Sequence, residues 1–250
     1  MTSVIPARYA VRAPPNAISE NELLASLPLT ARALWVPHLE LVDLEQGQLL
    51  HESEGRVPYA YFPITAIVAK LYLLKSGASA QSALIGKEGM VGFPLVLGGE
   101  STPSRAVVLI SGEAWRVKAD FIKHEVRALM PIMHLMLRFT QALITQMAQT
   151  AVCNRHHSVD QQLCRWLLLS LDRLQGNELV MTHELIANML GVRREGVTAA
   201  AGKLHRAGLI DCGRAHITVL NRAGLEKRTC ECYQVVQKEY DRLLPDRTAI

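Results

Sequence analysis

Arg193, Arg194 and Glu195 follow one another in a segment whose other residues are mostly small or apolar. Their side chains carry the chemistry that recognises base edges, because a guanidinium donates two hydrogen bonds to guanine and a carboxylate accepts one from the cytosine amino group. Thr198, about one helical turn later, adds a hydroxyl. Groups suited to phosphate oxygens surround these residues, namely His183, Lys203, Arg206, Arg214 and Arg193 itself.

Such side chains need a rigid element to present them, and the spacing around them predicts two short helices joined by a glycine. Thr182 is a good N-cap for the first helix, and Gly191 tolerates the positive φ of a tight C-cap. The second helix is expected from about Arg193 until Gly208 stops it. Residues 209–220 have the pattern of a β-hairpin, so the segment is typical of a winged helix-turn-helix. The alternative is an ordinary helical hairpin with a solvated charged face.

The positive charge of the chain is concentrated in this segment. Between Val180 and Arg228 there are eight basic and four acidic residues, so the net charge of +4 of the whole chain lies here. A local positive excess is expected of a module that binds phosphates. A chance surface fluctuation could give the same count, so the charge is supporting information only.

The first half of the chain has a different pattern, and 250 residues suffice for two cores. Residues 1–20 are rich in proline and polar residues and are predicted to form a flexible arm. Residues 21–38 are expected to form short helices interrupted by Pro28 and Pro37. Short β-type runs between residues 39 and 117 predict a jelly roll, that is, a double-stranded β-helix, with Ser76-Gly77 as a hairpin turn.

A long apolar helix is predicted from Pro131 to about Cys153. Five of its residues follow a spacing close to a coiled-coil seam and are assigned to dimerisation: Met136, Phe139, Leu143, Met147 and Thr150. Because the helix is apolar on more than one side, we expect one side to pack on its own β-domain and the other on a second copy. A wholly intramolecular core helix is the alternative.

The segments after this helix complete the expected architecture. The polar residues 154–158 form the candidate hinge, residues 159–174 a further amphipathic helix, and Asn221 the cap of one final helix. The fold class is therefore α+β in four parts. These are a flexible arm (1–20), a β-roll (21–130), a dimerisation helix with hinge (131–157) and a winged helix-turn-helix domain (158–250).

This order of elements resembles the Crp/Fnr superfamily of bacterial transcription regulators. The resemblance covers residues 21–220 and is most specific in GKEGMVGFPLVLGG (Gly86–Gly99), in SRAVV (Ser104–Val108) and in the helix-turn-helix. It implies a domain like those that bind cyclic nucleotides and a homodimer that reads a palindromic operator and regulates transcription.

The recognition helix matches the family only in part. Members commonly present an Arg-Glu pair and, four residues after the Glu, an Arg. Arg194 and Glu195 match the pair, whereas Ala199 stands at the later position, which puts the half-sites common in the family in doubt. His183 stands where relatives often have a phosphate-contacting side chain.

The effector pocket that the resemblance implies departs further from the family. It is placed at Gly92, Phe93, Arg105 and Ala106. In members that bind cyclic AMP, a Glu holds the ribose hydroxyl and an Arg binds the phosphate; Arg105 matches the Arg, but Phe93 stands at the Glu position. A Thr-Ser pair of the long helix aligns near Met147-Ala148, which cannot donate hydrogen bonds.

Losing three polar contacts at about 1–3 kcal/mol each argues against control by cyclic AMP. Arg105 either binds another anionic, nucleotide-like effector or pairs with an acid such as Glu88, and both interpretations stay open. No cofactor is assigned with certainty.

The five cysteines are expected to be free thiols. The first is Cys153, so the N-terminal iron–sulfur cluster of some family members is not expected. Cys153, His156 and His157 could ligate zinc, but a solvated hinge with a packed cysteine is the favoured interpretation. Cys230 and Cys232 have one intervening residue, whereas structural zinc pairs usually have two to four. No metal site is assigned.

No sequence pattern points to an enzyme or to a membrane protein. Walker, nucleophile-elbow and H-E-x-x-H motifs are missing, and Cys153 with His156 would lack an oxyanion site. No apolar run approaches the ~18 residues of a membrane span, and no signal pattern occurs, so a cytoplasmic location is expected.

The expected partners are double-stranded DNA and a second copy, with RNA polymerase as a further candidate. The alternative is a ligand-, metal- or thiol-sensing module whose DNA binding is secondary.

Overall fold

The computed structural model describes residues 11–12 and 17–244. The first helices are short: a 3-10 helix over Ala17–Glu20, α1 (Glu22–Ala25), α2 (Leu29–Trp35) and a 3-10 helix over Val36–His38. Asn21 caps α1 by accepting a hydrogen bond from Leu24 N. The buried amide of Asn21 also donates to the carbonyls of Pro63 and Gly89, which ties these helices to the β-domain.

Two parts of the predicted flexible arm form secondary structure. Val11–Arg12 forms strand β1, which pairs antiparallel with residues 40–41, and Ile18 in the 3-10 helix is buried. An edge strand offers unpaired backbone groups, so even a two-residue segment can be held there by hydrogen bonds. The rest of the arm, residues 1–10 and 13–16, lies outside the described residues.

Two antiparallel four-stranded sheets form the β-roll, and the predicted jelly roll is confirmed. Their strand orders are β1-β2-β8-β4 and β3-β7-β5-β6. The strands after β1 are β2 (Glu40–Leu44), β3 (Leu49–His51), β4 (Tyr59–Pro63), β5 (Ile67–Leu73), β6 (Ser79–Ile85), β7 (Arg105–Ile110) and β8 (Gly112–Lys118). Gly77, with φ of 84°, turns the chain between β5 and β6, as the hairpin signal predicted. Trp35, Phe62 and Trp115 are among the largest fully buried side chains, and the ring of Trp35 of α2 packs edge-on against that of Phe62 at 6.0 Å.

Two helices follow the β-roll, and the second corresponds to the long helix predicted from Pro131 to about Cys153. Helix α3 (Ala119–Ala128) ends before Leu129, which is extended, and α4 (Met130–His156) begins there at an angle of 114°. Pro131 lies in the first turn of α4, where a missing backbone N–H costs no hydrogen bond. Among the described residues, no single helix is long and apolar enough to cross a membrane; α3 and α4 meet that composition only as a bent pair.

Helix α4 buries the seam that the sequence assigned to a second subunit. Met136, Phe139 and Leu143 are fully buried within one chain, Thr150 is buried and Met147 is half-buried. The four buried side chains therefore cannot form the predicted subunit contact, whereas Met147 keeps part of its surface exposed. The exposed large apolar residues of α4 lie on a different face, at Met130, Leu137, Ile144 and Val152. The spacing correctly identified an apolar face of α4. It did not show whether the same chain or a second copy covers that face, because the helix has two apolar faces.

The C-terminal part contains the predicted winged helix. Helix α5 (Val159–Leu171) begins with a capping box between Ser158 and Gln161. It is followed by β9 (Glu178–Leu179), α6 (His183–Leu190), α7 (Arg194–Arg206), β10 (Ile210–Gly213) and β11 (His216–Val219). The three strands form one sheet in the order β10-β11-β9.

The final helix is broken in two. Asn221 caps α8 (Arg222–Arg228) by accepting a hydrogen bond from Gly224 N, as expected, but Thr229 and Cys230 are extended before α9 (Glu231–Leu243) begins. Helix α9 returns along α4, where Tyr240 hydrogen-bonds Gln146 over 3.1 Å. The break redirects the chain so that Val236, Tyr240 and Leu243 can be buried against the core.

Candidate nucleic-acid interface

Helices α6 and α7 are held at a fixed crossing by caps and by small buried residues. Thr182 accepts the hydrogen bond of Leu185 N over 3.2 Å, and Gly191 ends α6 with φ of 68°. The inward residues of α7 are Val197, Ala200, Ala201 and Leu204, all buried. Since two of the four are alanine, α7 can approach its neighbours closely and turn its other face outward.

The start of α7 exposes the three residues singled out from the sequence. Arg193 is the N-cap residue, and Arg194 and Glu195 form the first turn. All three are exposed, and within the described residues none of them forms a salt bridge. Charged groups that no neighbouring side chain neutralises are available to a partner. A guanidinium pair and a carboxylate at a helix start can donate to and accept from base edges in a major groove.

His183 and Thr198 contact each other across the two helices. His183 Nδ1 lies 3.1 Å from Thr198 Oγ1. Partial burial lowers the pKa of His183, and the nearby Arg194 lowers it further. The imidazole is therefore neutral near pH 7 and acts as a hydrogen-bonding group rather than as a cation. It fixes the Thr198 side chain beside the exposed first turn.

The remaining predicted cations, Lys203, Arg206 and Arg214, differ in whether a neighbouring carboxylate binds them. Lys203 is bound to Asp160 of α5, with Nζ 3.1 Å from Oδ2. Arg206 lies in the last turn of α7, and Arg214 lies in the turn between β10 and β11; both are exposed. That turn is tight, since Gly213 pairs with His216 and Ala215 has φ of 63°. Arg206 and Arg214 are thus exposed cations without a salt-bridge partner among the described residues, whereas Lys203 is partly neutralised by Asp160.

Of the predicted effector residues, Arg105 and Ala106 lie in β7, Gly92 and Phe93 lie in the segment after β6, and Arg105 is already paired. Its Nη2 lies 2.7 Å from Glu52 Oε1. The partner suggested from sequence, Glu88, instead pairs with Arg173 of the segment after α5, at 2.8 Å. Gly92 has φ of 110° and begins a short 3-10 helix that contains Phe93, while Ala106 is buried. Arg105 therefore pairs with an acid, as one of the two open interpretations expected, but the acid is Glu52 and not Glu88.

Lys70 is a buried cation of the β-roll that the sequence analysis missed. Its Nζ donates to Ser104 Oγ over 2.7 Å and lies 4.5 Å from the ring centre of Tyr72 and 5.6 Å from that of Phe93. Burial lowers the pKa of Lys70 to about 8. No carboxylate of the described residues forms a salt bridge with it. The signal that could have found it was a single lysine inside the apolar strand run of β5.

A third group of side chains converges where α4 ends. Cys153, His157, Cys230 and Cys232 place their ligand atoms within 4.8 Å of one another. The sequence analysis had grouped Cys153 with His156 and His157 and set Cys230 and Cys232 aside. His156 is exposed and outside the group. Sequence reasoning could not pair residues 77 positions apart.

Comparison with known proteins assigns the fold and the C-terminal domain. Residues 161–228 match the model of the Crp-like helix-turn-helix domain. The solved structure of FixK2 from Bradyrhizobium japonicum is similar, with 18% identity, 77% of this chain and 98% of that chain covered, and a TM-score of 0.66. A putative transcriptional regulator of the Crp/Fnr family from Eubacterium rectale has 18% identity, coverage of 85% and 97%, and a TM-score of 0.65.

A third similar structure is that of a ligand-responsive regulator. The c-di-GMP responsive global regulator CLP of Xanthomonas campestris has 14% identity, coverage of 73% and 94%, and a TM-score of 0.58. These likenesses establish a shared fold. No curated protein matches the sequence.

Proposed function

Because the chain has the fold of Crp/Fnr regulators and carries a Crp-like helix-turn-helix domain, we propose that it is a homodimeric transcription regulator that reads a palindromic DNA site. The observation that carries this proposal is the exposed start of α7. Arg193, Arg194 and Glu195 stand there without salt-bridge partners in the described chain, on a helix fixed by α5 and α6.

The proposed DNA contacts are of two kinds, contacts to bases and contacts to phosphates. Arg194 and Glu195, in the first helical turn, are the proposed base-reading residues, with Thr198 oriented by His183 beside them. The proposed phosphate contacts are three exposed cations: Arg193 next to that turn, Arg206 in the last turn of α7 and Arg214 in the turn between β10 and β11. Lys203 must first leave Asp160 to reach a phosphate, so its contribution should be smaller.

The proposed subunit contact is the exposed face of α4. Its residues recur at alternating intervals of four and three, as in a coiled coil: Leu137, Gln141, Ile144, Ala148 and Ala151, all exposed. Small residues in the second half allow two helices to approach closely. Two copies joined along α4 would place their α7 helices in a symmetric pair, which needs a separation of about 34 Å to match one turn of DNA.

The β-roll is the proposed effector domain, and cyclic AMP is not its proposed ligand. Phe93 has no group for a ribose hydroxyl, and Arg105 is neutralised by Glu52. Lys70 and Ser104 are the groups that would receive an anionic ligand, since Lys70 has no carboxylate partner in the described part of the β-roll.

Selection of bound DNA from a random duplex pool tests the proposal, using the purified full-length chain without added ligand. We expect enrichment of a two-fold symmetric site and an affinity that falls steeply with salt, by a slope of about −0.9 per neutralised phosphate. Enrichment only after a nucleotide is added would assign an effector to the β-roll. Failure to enrich any sequence, with or without nucleotides, would refute the proposal.

A further inference from the structure

Four potential metal ligands converge from two distant parts of the chain. Cys153 lies in the last turn of α4 and His157 follows that helix in an extended conformation. Cys230 is the N-cap residue of α9, and Cys232 lies in its first turn. Because Cys230 is extended and precedes the helix, a spacing of one residue does not turn the two sulfurs apart as it would inside a helix. The three cysteines form a small buried cluster separate from the main core.

The distances suit a tetrahedral ion. Zinc bound to sulfur at about 2.3 Å and to nitrogen at about 2.0–2.1 Å requires sulfurs about 3.8 Å apart, and sulfur and nitrogen about 3.6 Å apart. The Cys153 and Cys230 sulfurs are 3.6 Å apart, and the Cys232 sulfur lies 3.6 Å from His157 Nδ1. All four ligand atoms lie within 4.8 Å of one another, so one ion can reach every one of them after small side-chain adjustments.

The groups around the cluster also fit a metal. His157 offers Nδ1 to the cluster, and its other nitrogen, Nε2, lies 3.5 Å from Glu231 Oε1. A carboxylate behind a histidine is the usual support of a metal-binding imidazole, because it fixes the tautomer and the ring orientation.

A buried arginine supplies a positive charge that can balance the net charge of the cluster with its metal ion bound. Arg165 is 5% exposed. Its Nη2 donates to Thr150 Oγ1, but its buried Nε has no hydrogen-bond partner among the described residues. Burial lowers the pKa of Arg165, and the charges that oppose this effect most are those of Cys153, Cys232 and Cys230. Three thiolates, one neutral imidazole and a divalent ion carry a net charge of −1, which this guanidinium balances.

We propose that Cys153, His157, Cys230 and Cys232 bind one zinc ion in a closed tetrahedral site. Sulfur and imidazole ligands favour zinc over magnesium or calcium, and four protein ligands leave no position for a substrate, which makes the site structural. The thiols release their protons to solvent as the ion binds. The ion would join the junction of α4 and α5 to the start of α9, and so fix the direction in which α5 leaves α4.

Metal content of the full-length chain tests this site, with the protein purified without chelators and reduced by a phosphine that does not bind metal. We expect about one zinc per chain. Cys232→Ser and His157→Gln should lose most of it, whereas the matched controls Cys212→Ser and His156→Gln, which lie outside the cluster, should retain it. Glu231→Gln keeps all four ligands and should weaken zinc binding by about 10–100-fold in competition with a chromophoric chelator.

Cobalt titration of the wild-type chain gives a result that does not depend on how any variant folds. Tetrahedral cobalt with three thiolates should give strong visible bands and a thiolate charge-transfer band in the near ultraviolet. The proposal is overturned if the folded, reduced wild-type chain takes up neither zinc nor cobalt, or if the cobalt spectrum is octahedral. It is also overturned if mass spectrometry finds a Cys153–Cys230 disulfide under these conditions, because the cluster would then be a redox pair.

Discussion

Arg194 and Arg206 are both exposed cations of α7, but they lie at opposite ends of the helix and should affect DNA binding differently. Arg194→Ala should lower specific binding by about 1–3 kcal/mol and relax the preference at one base position, because a base-reading donor is lost. Arg206→Ala, the matched control, should weaken binding to all sequences alike and reduce the salt slope by about 1. Competition binding with single-base variants of the selected site measures both effects. Unchanged site preference in Arg194→Ala would show that the residue does not read a base.

The buried amine of Lys70 should make stability depend on alkaline pH. Its pKa falls from 10.5 to about 8 on folding, so between these values the unfolded chain holds a proton that the folded chain has released. The contribution of this group to stability therefore rises with pH through that window. Lys70→Met should be more stable than wild type near neutral pH, by at most about 3 kcal/mol, and this advantage should shrink toward pH 10.5.

Urea unfolding at a series of pH values tests the Lys70 prediction. Lys227→Met, at an exposed lysine of α8, should show no such trend relative to wild type. A difference between Lys70→Met and wild type that stays constant with pH would contradict the assigned shift.

At the scale of single elements, the exposed face of α4 should decide the oligomeric state. Ile144→Glu places a carboxylate in the middle of the proposed contact, where pairing two copies would bury like charges against each other. We expect a folded monomer with greatly weakened binding to a palindromic site, measured by sedimentation equilibrium and gel shift. Val235→Glu makes the same change at an exposed apolar residue of α9 and should leave the dimer intact. A dimeric Ile144→Glu protein would rule out this face.

Elements with local signals were predictable from sequence, and elements that depend on distant partners were not. Thr182, Gly191 and Asn221 each act through neighbours a few residues away, so the helix starts and stops of the winged helix could be derived from the chain alone. The burial of Phe139 depends on whether the same chain or a second copy covers that face of α4. The approach of Cys230 to Cys153 depends on the path of α9, which returns from far along the sequence. The partners of Glu88 and Arg105 were missed for the same reason, since each lies far away in sequence.

At the scale of the whole molecule, the winged-helix part is docked on the β-roll by a buried ion pair. Arg173 and Glu88 are 4% and 5% exposed at their side chains, and Trp166 Nε1 donates to Gln81 Oε1 over 3.0 Å nearby. Gly86 is required there, because a Cβ on it would lie 2.8 Å from the Arg173 side chain. These contacts set the orientation of α5, and through it that of α7, the proposed recognition helix.

Breaking this docking contact should cost far more than breaking a surface pair. Glu88→Gln leaves the buried guanidinium of Arg173 without its counter-charge, and we expect a loss of about 3–5 kcal/mol in the free energy of unfolding. The matched control Glu52→Gln removes the half-exposed partner of Arg105 and should cost about 1 kcal/mol or less. Urea unfolding followed by tryptophan fluorescence compares them. Equal costs for the two variants would contradict a docking role for the buried pair.

The return of α9 onto α4 has a consequence for how the chain is made. Gln146 meets Tyr240 across 94 residues of sequence, so one apolar side of α4 has no cover until α9 has been synthesised. At about 5–20 residues per second, a ribosome needs on the order of 5–20 s to make that stretch. The β-roll can assemble during this interval, but one apolar side of α4 stays exposed to water. Nascent chains are therefore most prone to aggregate, and to be held by chaperones, between the completion of α4 and the emergence of α9.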